Sequence, residues 1–164
     1  MRPAILALLI CAVAAALEGA LAGRGVRARF AELRQPRFSP PLPLWFVIGA
    51  AYYVICLVIL YRLLASESIT SAHRAALVLL LALMIANAAW GFLFFRRKDL
   101  RASFLAFLPY TSVAIALLLV LAPIDPTSAL VLTPYLLYLS YSLWWSYRLW
   151  VLNRAASASG LTSA

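Results

Sequence analysis

Acidic residues are scarce in this chain: five Asp and Glu among 164 residues, against fourteen Lys and Arg. Histidine occurs once, at His73, and cysteine twice, at Cys11 and Cys56. Charged residues together make up 12%, where a soluble domain carries about 25%. Each shortage excludes something. No Ser-His-Asp, Cys-His or paired-carboxylate arrangement stands out, so hydrolytic chemistry has few players. A metal cage collects several nitrogen, sulfur or carboxylate ligands, and a single histidine argues against one. The cysteines sit in apolar runs and form no CxxC or CxxCH pattern. They read as small buried hydrophobes, which leaves no zinc ribbon, covalent haem or secreted disulfide scaffold. No glycine-rich phosphate loop is present either.

What the chain has in plenty is apolar surface, 66% of its residues. That excludes disorder and an ordinary soluble enzyme. A spanning helix needs roughly 20 apolar residues. Runs of about that length fall at about 3–22, 44–64, 75–95, 102–121 and 129–152. In hydrocarbon the backbone must satisfy its own hydrogen bonds, so these runs are helices. The expected fold is all-α, an integral membrane bundle of five transmembrane helices. It forms one domain over residues 1–154, followed by a small, polar, flexible tail at 155–164. The first run resembles a secretory leader, with Arg2 ahead of it and Ala20-Leu21-Ala22 at its end, but it is long for one and reads as a retained span. Between the first two runs, Gly23 to Pro43 is a basic, proline-bearing connection longer than a simple helix–helix turn.

The net charge of +9 raises nucleic acid as a partner. No basic and aromatic groove lies outside the apolar runs, so the chain is read as having no nucleic-acid partner. Basic residues gather instead in cytoplasmic loops of membrane proteins. Arg24, Arg27, Arg29, Arg34, Arg37, Arg96, Arg97, Lys98, Arg101 and Arg154 fall on one side of a five-span layout. Arg2, Arg74 and Arg62 fall on or near the other. That imbalance puts the first connection and the C-terminus in the cytoplasm and the N-terminus outside, in a membrane of bacterial inner (cytoplasmic) type.

Polar groups inside spans are costly and usually face the bundle. Asn87 lies mid-way along the third run, with Trp90, Gly91 and Phe94 on the same helical face. An amide beside an indole and a phenyl ring can hydrogen-bond and stack on a flat ligand; it can equally staple two helices together. In the fifth run Tyr138, Tyr141, Ser142 and Trp145 share a stripe, of which Tyr138, Tyr141 and Ser142 are the pocket candidates. Tyr147 and Trp150 suit an interfacial belt, and Arg148 can snorkel to the surface. Glu18 is the one acid within a run. Its place near the helix end suits the headgroup level, with pairing to Arg62 or Arg148, or gating of a ligand, as alternatives.

Taken in order, Leu33-x-x-Pro36-x-Phe38-x-Pro40-Pro41, Tyr53, Asn87-x-x-Trp90-x-x-x-Phe94-Phe95, Pro134-Tyr135-Leu136 and Trp150-x-x-Asn153 resemble the translocator protein family. These are the TspO/MBR proteins, also called tryptophan-rich sensory proteins or peripheral benzodiazepine receptors. The resemblance implies five transmembrane helices, commonly as a homodimer, with a cavity beneath the long first loop that opens toward the cytosol. It implies binding of porphyrins or haem-related tetrapyrroles as ligands rather than as required cofactors. The pocket positions it carries over are Tyr53, Asn87, Trp90, Phe94 and Tyr135, with Phe38 where the family has tryptophan. Departures are Arg29-Phe30 for Trp-Tyr, Gly49 and Tyr138 for tryptophans, Ser142 for alanine, Ala106 for an acid and Val151 for arginine. Sterol binding is unsupported, because Tyr147 and Arg148 have no spacer between them. Three roles follow: a transporter or sensor of tetrapyrrole or similar hydrophobic ligands, an accessory subunit of a larger membrane complex with a degenerate pocket, or a light-dependent porphyrin-degrading protein. The replaced tryptophans weigh against enzymatic activity.

Overall fold

The computed structural model describes residues 2–67 and 69–160, with side chains through Arg154. Six α-helices follow one another: α1 (Pro3–Ala22), α2 (Val26–Glu32), α3 (Leu42–Ala65), α4 (Ser71–Gly91), α5 (Leu100–Ile124) and α6 (Pro126–Gly160). A π-helical turn, Phe92–Arg96, continues α4. Among the described residues there are no strands.

The helix ends follow local chemistry. Pro3 opens α1, where a missing N–H costs nothing. Thr70 Oγ1 accepts from the His73 amide at the start of α4, and Asp99 Oδ1 accepts from the Ala102 amide at 2.9 Å at the start of α5. Asp125 is the whole link between α5 and α6. Its amide donates to Leu121 O at 2.8 Å, closing α5, and its carbonyl accepts from the Ala129 amide at 3.1 Å, opening α6. Gly23 ends α1 at φ 74° and ψ −170°, a conformation almost confined to glycine.

Four helices are long and apolar enough to cross a membrane: α1, α3, α4 with its π-helical turn, and α5. The chain is an integral membrane protein. The five-run reading needs a qualification at α6. This helix has 35 residues, but Tyr, Ser and Trp dilute its apolar character, and it is not among those four. It also runs past the expected boundary at 152 to Gly160, while residues 161–164 of the expected tail lie outside the described residues.

The connection between the first two runs contains α2, a helix too short to show as a periodic signal. Leu33 and Arg29 are buried against the bundle, and Phe30 packs among aromatic rings there. The π-helical turn receives this cover. Arg29 Nε donates to Phe94 O at 3.4 Å, and Arg29 Nη2 donates to Lys98 O at 2.9 Å. The basic connections therefore meet at one end of the bundle, with α2 lying over it.

The core at the opposite end is aliphatic. Ile59, Leu80, Leu117, Leu121 and Leu132 are fully buried, and Cys11 and Cys56 are free thiols within it. Apolar residues also cover the outside. Val13, Val54, Val78, Leu119, Leu130 and Leu137 are all more than half exposed, a surface suited to lipid rather than water.

Candidate ligand cavity

A cavity of about 370 Å³ lies beneath α2 at the basic end. All six helices contribute to its wall. Glu18 and Gly19 come from α1, Phe30 from α2, and Trp45, Gly49, Tyr52 and Tyr53 from α3. Asn87 and Trp90 come from α4, Phe107 and Tyr110 from α5, and Tyr135, Tyr138, Ser142 and Trp145 from α6. Its volume is within the range of small-molecule sites.

Rings line one another closely. Trp45 and Trp145 have centroids 4.7 Å apart, and Trp90 stacks on Phe94 at 5.1 Å and 16°. Phe30 reaches down from α2 to within 6.0–6.3 Å of Trp45, Phe94, Phe95 and Trp145. Each such pair adds about 0.5–1.5 kcal/mol beyond its buried area. The indole N–H groups of Trp45 and Trp145 are used by the first connection: they donate to Pro40 O at 3.1 Å and to Ser39 Oγ at 2.9 Å. Trp90 Nε1 is closed off from solvent and has no hydrogen-bond partner.

The polar groups form one chain. Tyr53 Oη donates to Glu18 Oε2 at 2.7 Å, and Asn87 Nδ2 donates to the same oxygen at 2.8 Å. Tyr110 Oη donates to Asn87 Oδ1 at 3.3 Å and is itself hydrogen-bonded to Tyr135 Oη. Gly91 packs beside the acid, where an added Cβ would meet Glu18 Cγ at an ordinary contact distance of 4.0 Å. Glu18 is thus half-buried at the cavity wall, bound to Tyr53 and Asn87. Its pairing with Arg62 does not occur, because Arg62 holds Asp125 instead, at 2.8 and 2.7 Å.

Of the residues singled out in the sequence, Tyr53, Asn87, Trp90, Tyr135, Tyr138 and Ser142 come together on the cavity wall. Phe94 is fully buried behind Trp90 and does not line the cavity. Phe38 is elsewhere. It is 70% exposed, with the Arg37 guanidinium 5.9 Å from its ring, and its carbonyl accepts from Tyr141 Oη at 2.7 Å. Tyr141 accordingly fastens the first connection rather than facing the cavity. Asn153 does similar work: its amide pairs with the backbone of Arg34, accepting from N at 3.0 Å and donating to O at 3.1 Å.

Sequence reasoning passed over Tyr52, Phe107 and Tyr110, whose inward direction depends on how α3 and α5 are rotated. A signal existed for Trp45, one turn before Gly49. The Gly49 side of the wall is open: a Cβ added at Gly49 or Gly19 would meet nothing within 4 Å.

Fold and site together define an integral membrane helical bundle that encloses an aromatic-walled cavity under a basic, hydrogen-bonded cover. The chain belongs to the TspO/MBR family, whose model matches residues 7–151, nearly its whole length. Comparison with curated proteins gives no match.

Proposed function

We propose that this protein binds a tetrapyrrole or a similar flat hydrophobic ligand within the membrane and acts as its carrier or sensor. The observation that carries the reading is the aromatic-walled cavity, in which the rings of Trp45, Trp90 and Trp145 stand beside the polar chain of Glu18, Tyr53 and Asn87. Aromatic faces suit a flat ring, and a few polar groups among them orient it. Family membership supports the same ligand class. The basic end suits the carboxylates of a porphyrin, because arginine pairs with them in a fork.

In this reading α6 is the fifth span. It is about 52 Å long at 1.5 Å per residue, folds straight back from α5, and carries exposed Leu130 and Leu137. Ten of the basic residues, those of the first and third connections and Arg154, then face the cytoplasm, with the N-terminus outside a bacterial inner membrane.

The test is titration of the protein in lipid nanodiscs with protoporphyrin IX, read by quenching of tryptophan emission. Trp45, Trp90 and Trp145 all border the cavity, so saturable quenching at micromolar ligand is expected. Asn87→Ala and Trp90→Ala should each weaken binding about tenfold, equivalent to about 1.4 kcal/mol. No quenching at micromolar ligand, or unchanged affinity in both variants, overturns the reading.

A further inference from the structure

We propose that Glu18 makes this cavity selective for flat aromatic ligands that carry a cationic or N–H-donating nitrogen. The inference rests on the reading of the hollow as a ligand site and names the chemistry that site favours.

The argument starts with the direction of the hydrogen bonds. A carboxylate only accepts, so Asn87 must turn its NH₂ toward Glu18 and its carbonyl toward Tyr110. Tyr110 spends its proton on that carbonyl and therefore accepts from Tyr135. Tyr53 spends its proton on Glu18 from the other side. Every donor in the chain runs toward one acid, and both final bonds go to the same oxygen, Oε2. Among the described residues no donor reaches Oε1. The remaining capacity of the cluster is that of an acceptor, and it faces the cavity.

Charge points the same way. Among the described residues Glu18 has no Lys, Arg or His nitrogen within 4 Å; the ion pairs involve Glu32 and Asp125 instead. A half-buried carboxylate at the wall of a membrane bundle, with hydrogen bonds to one oxygen and no counter-ion, is incompletely compensated. A ligand nitrogen at Oε1 supplies the missing charge or proton. The neighbouring rings of Trp90 and Tyr53 add faces that attract a cation and are indifferent or unfavourable to an anion. The cavity interior thus has the opposite preference to the basic connections at this end of the bundle, from which no arginine lines the cavity. A ligand nitrogen belongs inside, beside Glu18.

The experiment uses three probes of one shape: 9-aminoacridine, which is protonated at neutral pH, 9-anthracenemethanol, which is neutral, and 9-anthracenecarboxylate. Each is titrated into the full chain in phosphatidylcholine nanodiscs, with empty nanodiscs as background and tryptophan quenching as readout. Wild type should bind 9-aminoacridine at least about tenfold tighter than the carboxylate. Glu18→Gln should bring that ratio to within about twofold, and Glu18→Asp, which keeps the charge, should retain most of it. Affinity for the neutral probe is the reference within each variant. Equal binding of the charged probes by wild type, or an unchanged ratio in a folded Glu18→Gln, overturns the proposal while leaving the cavity as a ligand site. Failure of all three probes and of protoporphyrin IX to bind overturns the ligand-site reading and this inference with it.

Discussion

Arg29 and Lys98, far apart in the chain, meet at 2.9 Å, where a guanidinium nitrogen donates to a backbone carbonyl. Lys98 has φ 55°, the one positive φ outside glycine among the described residues. That backbone turn delivers its carbonyl to Arg29 just beyond the π-helical turn. The same arginine reaches Phe94 O and lies 5.8 Å from the Phe94 ring, so one side chain clamps the cover to the wall behind Trp90.

Arg29→Ala should therefore loosen the cover as well as lower stability. It strands two carbonyls at a buried joint, at about 1–3 kcal/mol. Thermal unfolding in detergent is expected to shift down, and Arg29→Lys should recover only part of the loss because an ammonium cannot fork between two acceptors. A midpoint equal to wild type for Arg29→Ala would contradict the clamp.

Asn153 pins the other end of the cover through both backbone atoms of Arg34. Asn153→Ala should release that segment while leaving the helices packed. Limited trypsin digestion is the direct readout, with cleavage after Arg34 or Arg37 expected to speed up several-fold and helical circular dichroism unchanged.

Gly49 offers a test of cavity volume. It sits within α3, and a Cβ there meets nothing within 4 Å. Gly49→Ala should raise stability by about 0.5–1 kcal/mol from backbone entropy and leave ligand affinity within about twofold. Gly49→Trp, which restores the ring that the family pattern has at this position, should still fold and retain protoporphyrin IX binding in the quenching assay, with the added ring supplying a stacking face.

At the far end of the bundle Asp125 is held by Arg62, with the Ser128 hydroxyl adding a 2.5 Å bond. The guanidinium first, and then Ser128, outweigh desolvation and bring its pKa down to about 2. A lowered carboxylate pKa contributes stability that is complete above the unfolded value near 3.9 and lost as pH falls through the folded one. The thermal midpoint of wild type should thus fall between about pH 4 and pH 2, and Asp125→Asn should flatten that part of the profile. At neutral pH Asp125→Asn should cost about 1 kcal/mol, since the Arg62 side of the pair is open to solvent. Asp125→Ala should cost more, because the cap on the Ser128 amide goes as well.

Much of the architecture was legible because long apolar runs leave the backbone no alternative to helices. Asn87 with Trp90, and Tyr138 with Ser142, were legible because helical spacing puts polar and aromatic groups on common faces, while Tyr53 and Tyr135 came from the family resemblance. The partners of Glu18 were not legible, because Tyr53 and Asn87 come from other helices and no local pattern specifies that contact. The motif carried Phe38 into the wall, but the backbone of the first connection presents its carbonyl to Tyr141 and turns the ring outward. Helix α2 was invisible because a seven-residue helix has fewer than two turns of pattern to read and is held by Arg29 from outside.

The single-residue joint at Asp125 has a mechanical consequence. One amino acid terminates α5, initiates α6 and is tethered by Arg62, so these two rods share a stiff elbow and move as one lever. The opposite flank has Gly23 and Gly25 on either side of Arg24, where the chain bends with little side-chain bulk. The backbone at the glycine corner between α1 and α2 therefore bends at lower cost than the elbow at Asp125.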